Sequence, residues 1–128
     1  MKLRIRGDSL RLRLSPVEFA TLAAGGTVAD AIHFGPEPSQ CLRYELVLDD
    51  DASGLDARLD DHTIRVVVPA GPLRRIAASD EVGLSIRKSV GPGRELDIVL
   101  EKDFRCLVPR VGDDSGEGFA RPDDAPSC

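Results

Sequence analysis

The amino-acid sequence predicts an α+β fold, an internally duplicated (ββαββ)x2 chain forming a strongly curved antiparallel sheet or partial β-barrel with two short helices. Three observations predict it. Stretches alternating apolar and charged residues with a period of two recur along the chain. Two short helical stretches, each opened near a proline, interrupt them. The whole succession repeats at an offset of 54 residues. Period two marks a strand with one buried face, and self-similarity at a fixed offset marks a repeated unit.

The first unit opens with residues 1–14, MKLRIRGDSLRLRL. Leu3 and Ile5 alternate with Lys2, Arg4 and Arg6, and Leu10, Leu12 and Leu14 alternate with Arg11 and Arg13. Gly7-Asp8 between them are the two residues of a tight turn, with Gly supplying the positive φ such a turn requires. The resulting register pairs Ile5 with Leu10 and Leu3 with Leu12 on one face. A slip of one residue would split that set between two faces, so the pairing is well specified. On the other face Arg4 opposes Arg11 and Lys2 opposes Arg13. Like charges directly opposed cost roughly 0.2–1 kcal/mol per pair, which a solvated face tolerates.

A helix follows. Ser15 is its cap, Pro16 suits the first helical position, and Glu18 completes a capping box. Val17, Phe19, Leu22 and Ala23 form its apolar side, and Gly25-Gly26 end it. Strands are expected over 27–34 and 41–48, with a Gly-Pro-Glu-Pro-Ser turn between them.

Shifted by 54 residues, LDARLDDHTIRVVVP falls on MKLRIRGDSLRLRLS without a gap. Arg58 meets Arg4, Arg65 meets Arg11, and Ile64, Val66 and Val68 meet Leu10, Leu12 and Leu14. Farther on, Val82 meets Val28, Ile86 meets Ile32, and Leu96 and Leu100 meet Leu42 and Leu46. The second unit therefore has a helix near Gly71-Pro72, with Leu73, Ile76 and Ala77 inward, and strands over 81–88 and 95–102. Each unit alone has one apolar sheet face and one short helix, too little for independent stability. The expected organisation is a single folded domain over 1–106, made of pseudo-repeats 1–54 and 55–106. Residues 107–128, rich in Gly, Pro and Asp and without periodicity, are expected to be an acidic, disordered tail.

Of 128 residues, 41% are hydrophobic and 30% charged, the balance of a globular chain. A net charge of −5 argues against general nucleic-acid binding. No run approaches the ~20 apolar residues of a membrane span, and charge interrupts the N-terminus, so no membrane association is expected and a cytoplasmic location follows by default. Cys41, Cys106 and Cys128 are odd in number and widely spaced, which reads as reduced thiols.

The most distinctive chemistry is the cationic strip of the first hairpin, with Arg4, Arg11 and Arg13 as candidate ligand-binding residues. Forked guanidinium groups suit a phosphorylated small molecule, a carboxylate or an acidic peptide. The other reading is a solvated or internally paired strand face, with Glu45, Asp97 or Glu101 as partners. Among carboxylates, Glu45, Asp97, Glu101 and Asp103 fall at outward positions or strand ends, where most such residues simply face solvent. The Asp49-Asp50-Asp51 run lacks the alternating spacing of a calcium loop. His33 and His62 lie near no cysteine in sequence, and CxxC, HxH, HExxH, Gly-x-Ser-x-Gly and Walker patterns are absent. No cofactor, metal site or catalytic residue is expected.

Three stretches together, MKLRIRGDSLRLRLS, Ser79-Asp80-Glu81-Val82-Gly83 and Glu101-Lys102-Asp103-Phe104-Arg105-Cys106-Leu107 before an acidic tail, resemble a family of small bacterial proteins built on a domain of unknown function. The resemblance covers nearly the whole chain. It departs at the tail, where the family pattern closes on a Phe-Pro-Asn-Pro-like ending and Phe119 here precedes Ala120-Arg121-Pro122. It implies a bacterial, cytoplasmic, single-domain protein and carries no activity with it.

The functional expectation is a non-enzymatic binding or interaction module for an anionic ligand or a protein partner, as monomer or homodimer. The alternative is an enzyme acting on a phosphorylated or carboxylated small molecule, with the arginines as clamps and Glu45 or Glu101 as acid or base. That alternative requires arginines and a carboxylate converging in a concave pocket.

Overall fold

The N-terminal hairpin forms in the register its alternation predicts. In the computed structural model, which describes residues 1–104, β1 (Lys2–Ile5) pairs antiparallel with β2 (Ser9–Leu14), placing Ile5 opposite Leu10 and Arg4 opposite Arg11. Gly7 carries a φ of 55° in the turn, and the Arg6 N–H donates to the Ser9 carbonyl at 3.1 Å. Leu10, Leu12 and Leu14 are buried while the charged positions between them are not.

Helix α1 (Pro16–Ala23) starts with the reciprocal cap its sequence encodes. The Glu18 N–H donates to Ser15 Oγ at 3.3 Å, and the Ser15 N–H donates to Glu18 Oε1 at 2.9 Å. Phe19 and Leu22 are its buried residues, whereas Val17, expected inward, is 75% exposed. Strands β3 (Val28–His33) and β4 (Cys41–Asp49) follow, joined through a single 3₁₀ turn at Pro38–Gln40. The second half runs β5 (Asp56–Asp60), β6 (Thr63–Pro69), α2 (Ala70–Ala77), β7 (Gly83–Ser89) and β8 (Glu95–Lys102). Helix α2 buries Leu73 and Ile76, but Ala77 is exposed.

The strands do not form one curved antiparallel sheet or a partial barrel. They form two separate four-stranded mixed sheets, ordered β1-β2-β8-β7 and β3-β4-β6-β5, neither closed on itself. Each is antiparallel at its flanks and parallel at its centre: β2 runs parallel to β8, and β4 to β6. The reason lies in how the halves interlock. Each half's first hairpin pairs with the other half's last two strands, so the central neighbours come from distant sequence and share a direction. Alternation specifies which face a strand buries and says nothing about its neighbour or direction.

The two orders are related: replacing β1, β2, β8 and β7 by β5, β6, β4 and β3 turns the first order into the second read in reverse. The 54-residue offset also carries the central register over, since Ser9↔Asp97 becomes Thr63↔Arg43 and Leu14↔Lys102 becomes Val68↔Leu48. At β3 and β7 it fails by two residues. Val28 faces Leu46 where Leu84 faces Leu100, so Val28 takes the place of Leu84 and Asp30 that of Ile86. The alignments of Val82 on Val28 and of Ile86 on Ile32 are corrected accordingly. The connection 34–40 is two residues longer than 90–94, which absorbs the slip.

One cluster of buried side chains joins both sheets and both helices, including Leu12, Leu14, Leu22, Leu46, Val66, Leu73, Ile98 and Leu100. Such a core is aliphatic apart from Phe19, and truncating one of its leucines to alanine costs about 2–5 kcal/mol. A polar tie also links the sheets: Lys88 on β7 bonds the Asp56 carboxylate and donates to the Ala57 carbonyl on β5. The expectation of an acidic, disordered tail over 107–128 lies outside the described residues, as do Cys106 and Cys128.

Candidate functional site

The cationic strip lies on the outer face of the first sheet, where the odd positions of β2 and β8 and the even positions of β1 point away from the core. Two rows cross it. One runs Arg4, Arg11, Val99, Ser85 and the other Lys2, Arg13, Glu101, Gly83. Arg11 and Arg13 stand two residues apart on a central strand, and the parallel partner strand sets a carboxylate beside them.

That carboxylate belongs to Glu101. Its Oε1 accepts from Arg13 Nε at 2.7 Å and lies 3.6 Å from Arg11 Nη1. At the strand ends Lys2 Nζ sits 3.2 Å from Asp103 Oδ2. Lys2, Arg11 and Arg13 thus meet two carboxylates, and Arg4 stands opposite Arg11 across the β1–β2 pair. Glu101 is the better shielded partner, with 16% of its side chain exposed against 40% for Arg11. Partly exposed pairs of this kind contribute up to about 1 kcal/mol each. Asp97, the third candidate partner, binds Arg87 instead, at 2.7 Å.

The second sheet carries a comparable arrangement. Glu45 on β4 accepts from Arg65 Nε at 2.8 Å and lies 3.8 Å from Arg43 Nε. It is the buried charged residue of the described chain. Its outward phase suggested solvent, but it sits on a central strand, between two neighbours and beneath two guanidinium groups. Glu45 and Glu101 do not correspond at the 54-residue offset, which sets Glu45 against Val99. Glu101 converges with Arg11 and Arg13 on the first sheet, while Glu45 lies on the second sheet with Arg43 and Arg65.

A second grouping escaped sequence reasoning. The antiparallel β3–β4 register sets His33 directly opposite Cys41. A shallow recess nearby is lined by Ser39, Cys41, Arg43, Asp61, His62 and Thr63. His62 reaches it from the turn between β5 and β6, where Asp61 and His62 have φ of 47° and 61°. The signal available in sequence was the pairing of the strands at 27–34 and 41–48, which brings 33 and 41 together once their register is known. No group of three His, Cys, Asp or Glu side chains among the described residues is arranged to hold a metal ion. A second recess, mainly apolar, lies where β8 ends, between Leu14, Pro16, Phe19, Ala77 and Phe104.

A family model described as a family of unknown function, DUF7009, matches residues 1–123. The chain belongs to that family. The DUF7009 match takes in both sheets, both helices and the segment that follows β8. No curated protein and no solved structure matches the chain. Among the described residues, no helix is long and apolar enough to cross a membrane.

Proposed function

We propose that this DUF7009 protein is a non-enzymatic binding module of the bacterial cytoplasm, which takes an anionic group on the outer face of its first sheet. Arg11 and Arg13 are the primary contacts, with Lys2 and Arg4 alongside. The observation that carries this reading is the shared grip of Arg11 and Arg13 on one oxygen of Glu101. The two guanidinium groups already converge on a carboxylate, and an incoming phosphate or carboxylate would take the same fork in place of Glu101.

The test is thermal unfolding of the full chain against inorganic phosphate, beside the double variant Arg11→Gln with Arg13→Gln. Phosphate raises the parent's Tm in a salt-sensitive way, and at a hundred times Kd the gain is about 2.7 kcal/mol. The variant loses that response. Equal responses in the two proteins, or none in either, sink the reading.

We further propose that the chain arose by duplication of a ββαββ unit, supported by the reversed strand orders and the shared central registers. Because the halves interlock, residues 1–54 and 55–128 produced as separate chains should associate one to one. Failure of the two fragments to recognise each other would count against it.

A further inference from the structure

The 54-residue offset carries α1 onto α2 residue for residue, and the two helices differ where they meet. In the second half Arg74 reaches out from α2 across this junction. Its Nε donates to the Ala23 carbonyl at the end of α1 at 3.1 Å, and its Nη1 lies 3.7 Å from Asp50 Oδ1. An aliphatic stem and a guanidinium thus fill the space between the helix ends and the close of β4.

In the first half Ala20 stands at the place of Arg74, Ala77 at that of Ala23, and Phe104 at that of Asp50. Between Ala20 and Ala77 lies the mainly apolar recess at the end of β8, about 320 Å³ in volume. The buried Leu14 and Phe19 line it, with the exposed Phe104 beside them. It is the counterpart of the space that Arg74 fills.

One cation shares this recess. Lys102 follows Ile98 and Leu100 on the core-facing phase of β8 and stands opposite Leu14, where the second half has Leu48 opposite Val68. Its Nζ donates to the Ser79 carbonyl at 2.7 Å, a neutral oxygen. The adjacent carboxylate, Asp103, sits 3.2 Å from Lys2 Nζ. Compared with the second half, the recess lacks the filling side chain of Arg74 and the carboxylate of Asp50, and it has a cation in its wall.

We propose that this recess is a site for a small amphipathic carboxylate, with its apolar body beside Ala20 and Ala77 and its carboxylate on Lys102. Such a ligand supplies together the aliphatic filling and the negative charge that Arg74 and Asp50 supply in the other half. A concave, mostly apolar site with a single charged group to orient the occupant is the usual form of a small-molecule pocket, and its volume falls at the lower end of that class. The inference uses neither Arg11 nor Arg13 and is independent of the anion site on the outer face.

The experiment follows the Tm of the full chain with octanoate below its micellar range, beside octanol and acetate, which separate the apolar body from the charge. Octanoate should raise Tm saturably and bind roughly fivefold more tightly than octanol, the scale of a partly exposed ion pair. Acetate should give no shift at the same concentrations. Because Ala20 is exposed on α1, Ala20→Phe can fill the recess without entering the core, and it should abolish the octanoate response. Lys102→Met keeps an apolar stem and removes the charge, so octanoate should fall to the level of octanol while octanol is unchanged. Arg11→Gln with Arg13→Gln should respond to octanoate as the parent does, which separates this site from the outer face. No octanoate shift in the parent, or one that survives Ala20→Phe, overturns the proposal. Equal responses to octanoate and octanol that ignore Lys102→Met overturn it too, because the recess would then take apolar bodies without reading the carboxylate. A Tm that rises with protein concentration and is insensitive to octanoate overturns it in favour of a second copy of the chain.

Discussion

Arg13 and Glu101 are 88 residues apart in sequence and direct partners across the parallel β2–β8 pair, joined by a 2.7 Å bond from Arg13 Nε to Glu101 Oε1. The same oxygen also faces Arg11. Of the three partners that sequence reading offered for the strip, Glu45, Asp97 and Glu101, it is Glu101 that stands at its centre. Any ligand of this face competes with a carboxylate that is always present.

Replacing that carboxylate should change affinity more than stability. Glu101→Gln removes the competing charge and keeps the side-chain shape, so the phosphate-induced Tm shift should increase and reach saturation at lower phosphate. Stability without phosphate should fall by no more than about 1 kcal/mol, the scale of a solvated ion pair. Titrating phosphate by thermal shift checks both, and a weaker phosphate response in Glu101→Gln would contradict competition.

The tie between the sheets should be sensitive to acid. The Lys88 ammonium hydrogen-bonded to Asp56, with further help from the Ala57 N–H and Arg58, holds the Asp56 carboxyl below its ordinary value of 3.8 despite partial burial. A depressed folded-state pKa gives stability that is present above the unfolded value and lost as pH falls through the folded one. Lys88→Met should thus cost about 1 kcal/mol near neutral pH. The gap between parent and variant should close once pH drops below the folded value. Urea unfolding of both proteins across that range measures it, and a gap constant with pH would assign the loss to packing.

The second hairpin turn is an engineering target. Asp61 and His62 both adopt positive φ, the combination that a type I′ turn demands and that Asn-Gly meets with least strain. Asp61→Asn with His62→Gly should raise stability by about 1 kcal/mol, read as a higher denaturation midpoint at unchanged slope. A loss would mean that the His62 side chain contributes more in its recess than the turn costs.

Local structure was legible wherever the cause was local. Ser15, Pro16 and Glu18 specify the start of α1 because the cap closes within four residues. Gly7-Asp8 and the leucine alternation specify the first hairpin because a one-residue slip would expose its buried face. Even the opposed pair Arg4 and Arg11 could be placed by this reasoning. The site was legible only in part: the arginines were, but the choice of Glu101 over Asp97 as their partner was not, since it depends on a register between residues some 88 positions apart.

The sequence by itself determined the strands, the helices, the buried phase of the first hairpin and the cationic strip. Tertiary structure decided that the strands divide into two mixed sheets, that β2 lies beside β8 and β4 beside β6, and that His33 meets Cys41. The physical reason is that alternation and capping are properties of a single segment. Pairing is a choice among segments with nearly equal patterns, settled by which combination buries Leu12, Leu46, Val66 and Leu100 in one core.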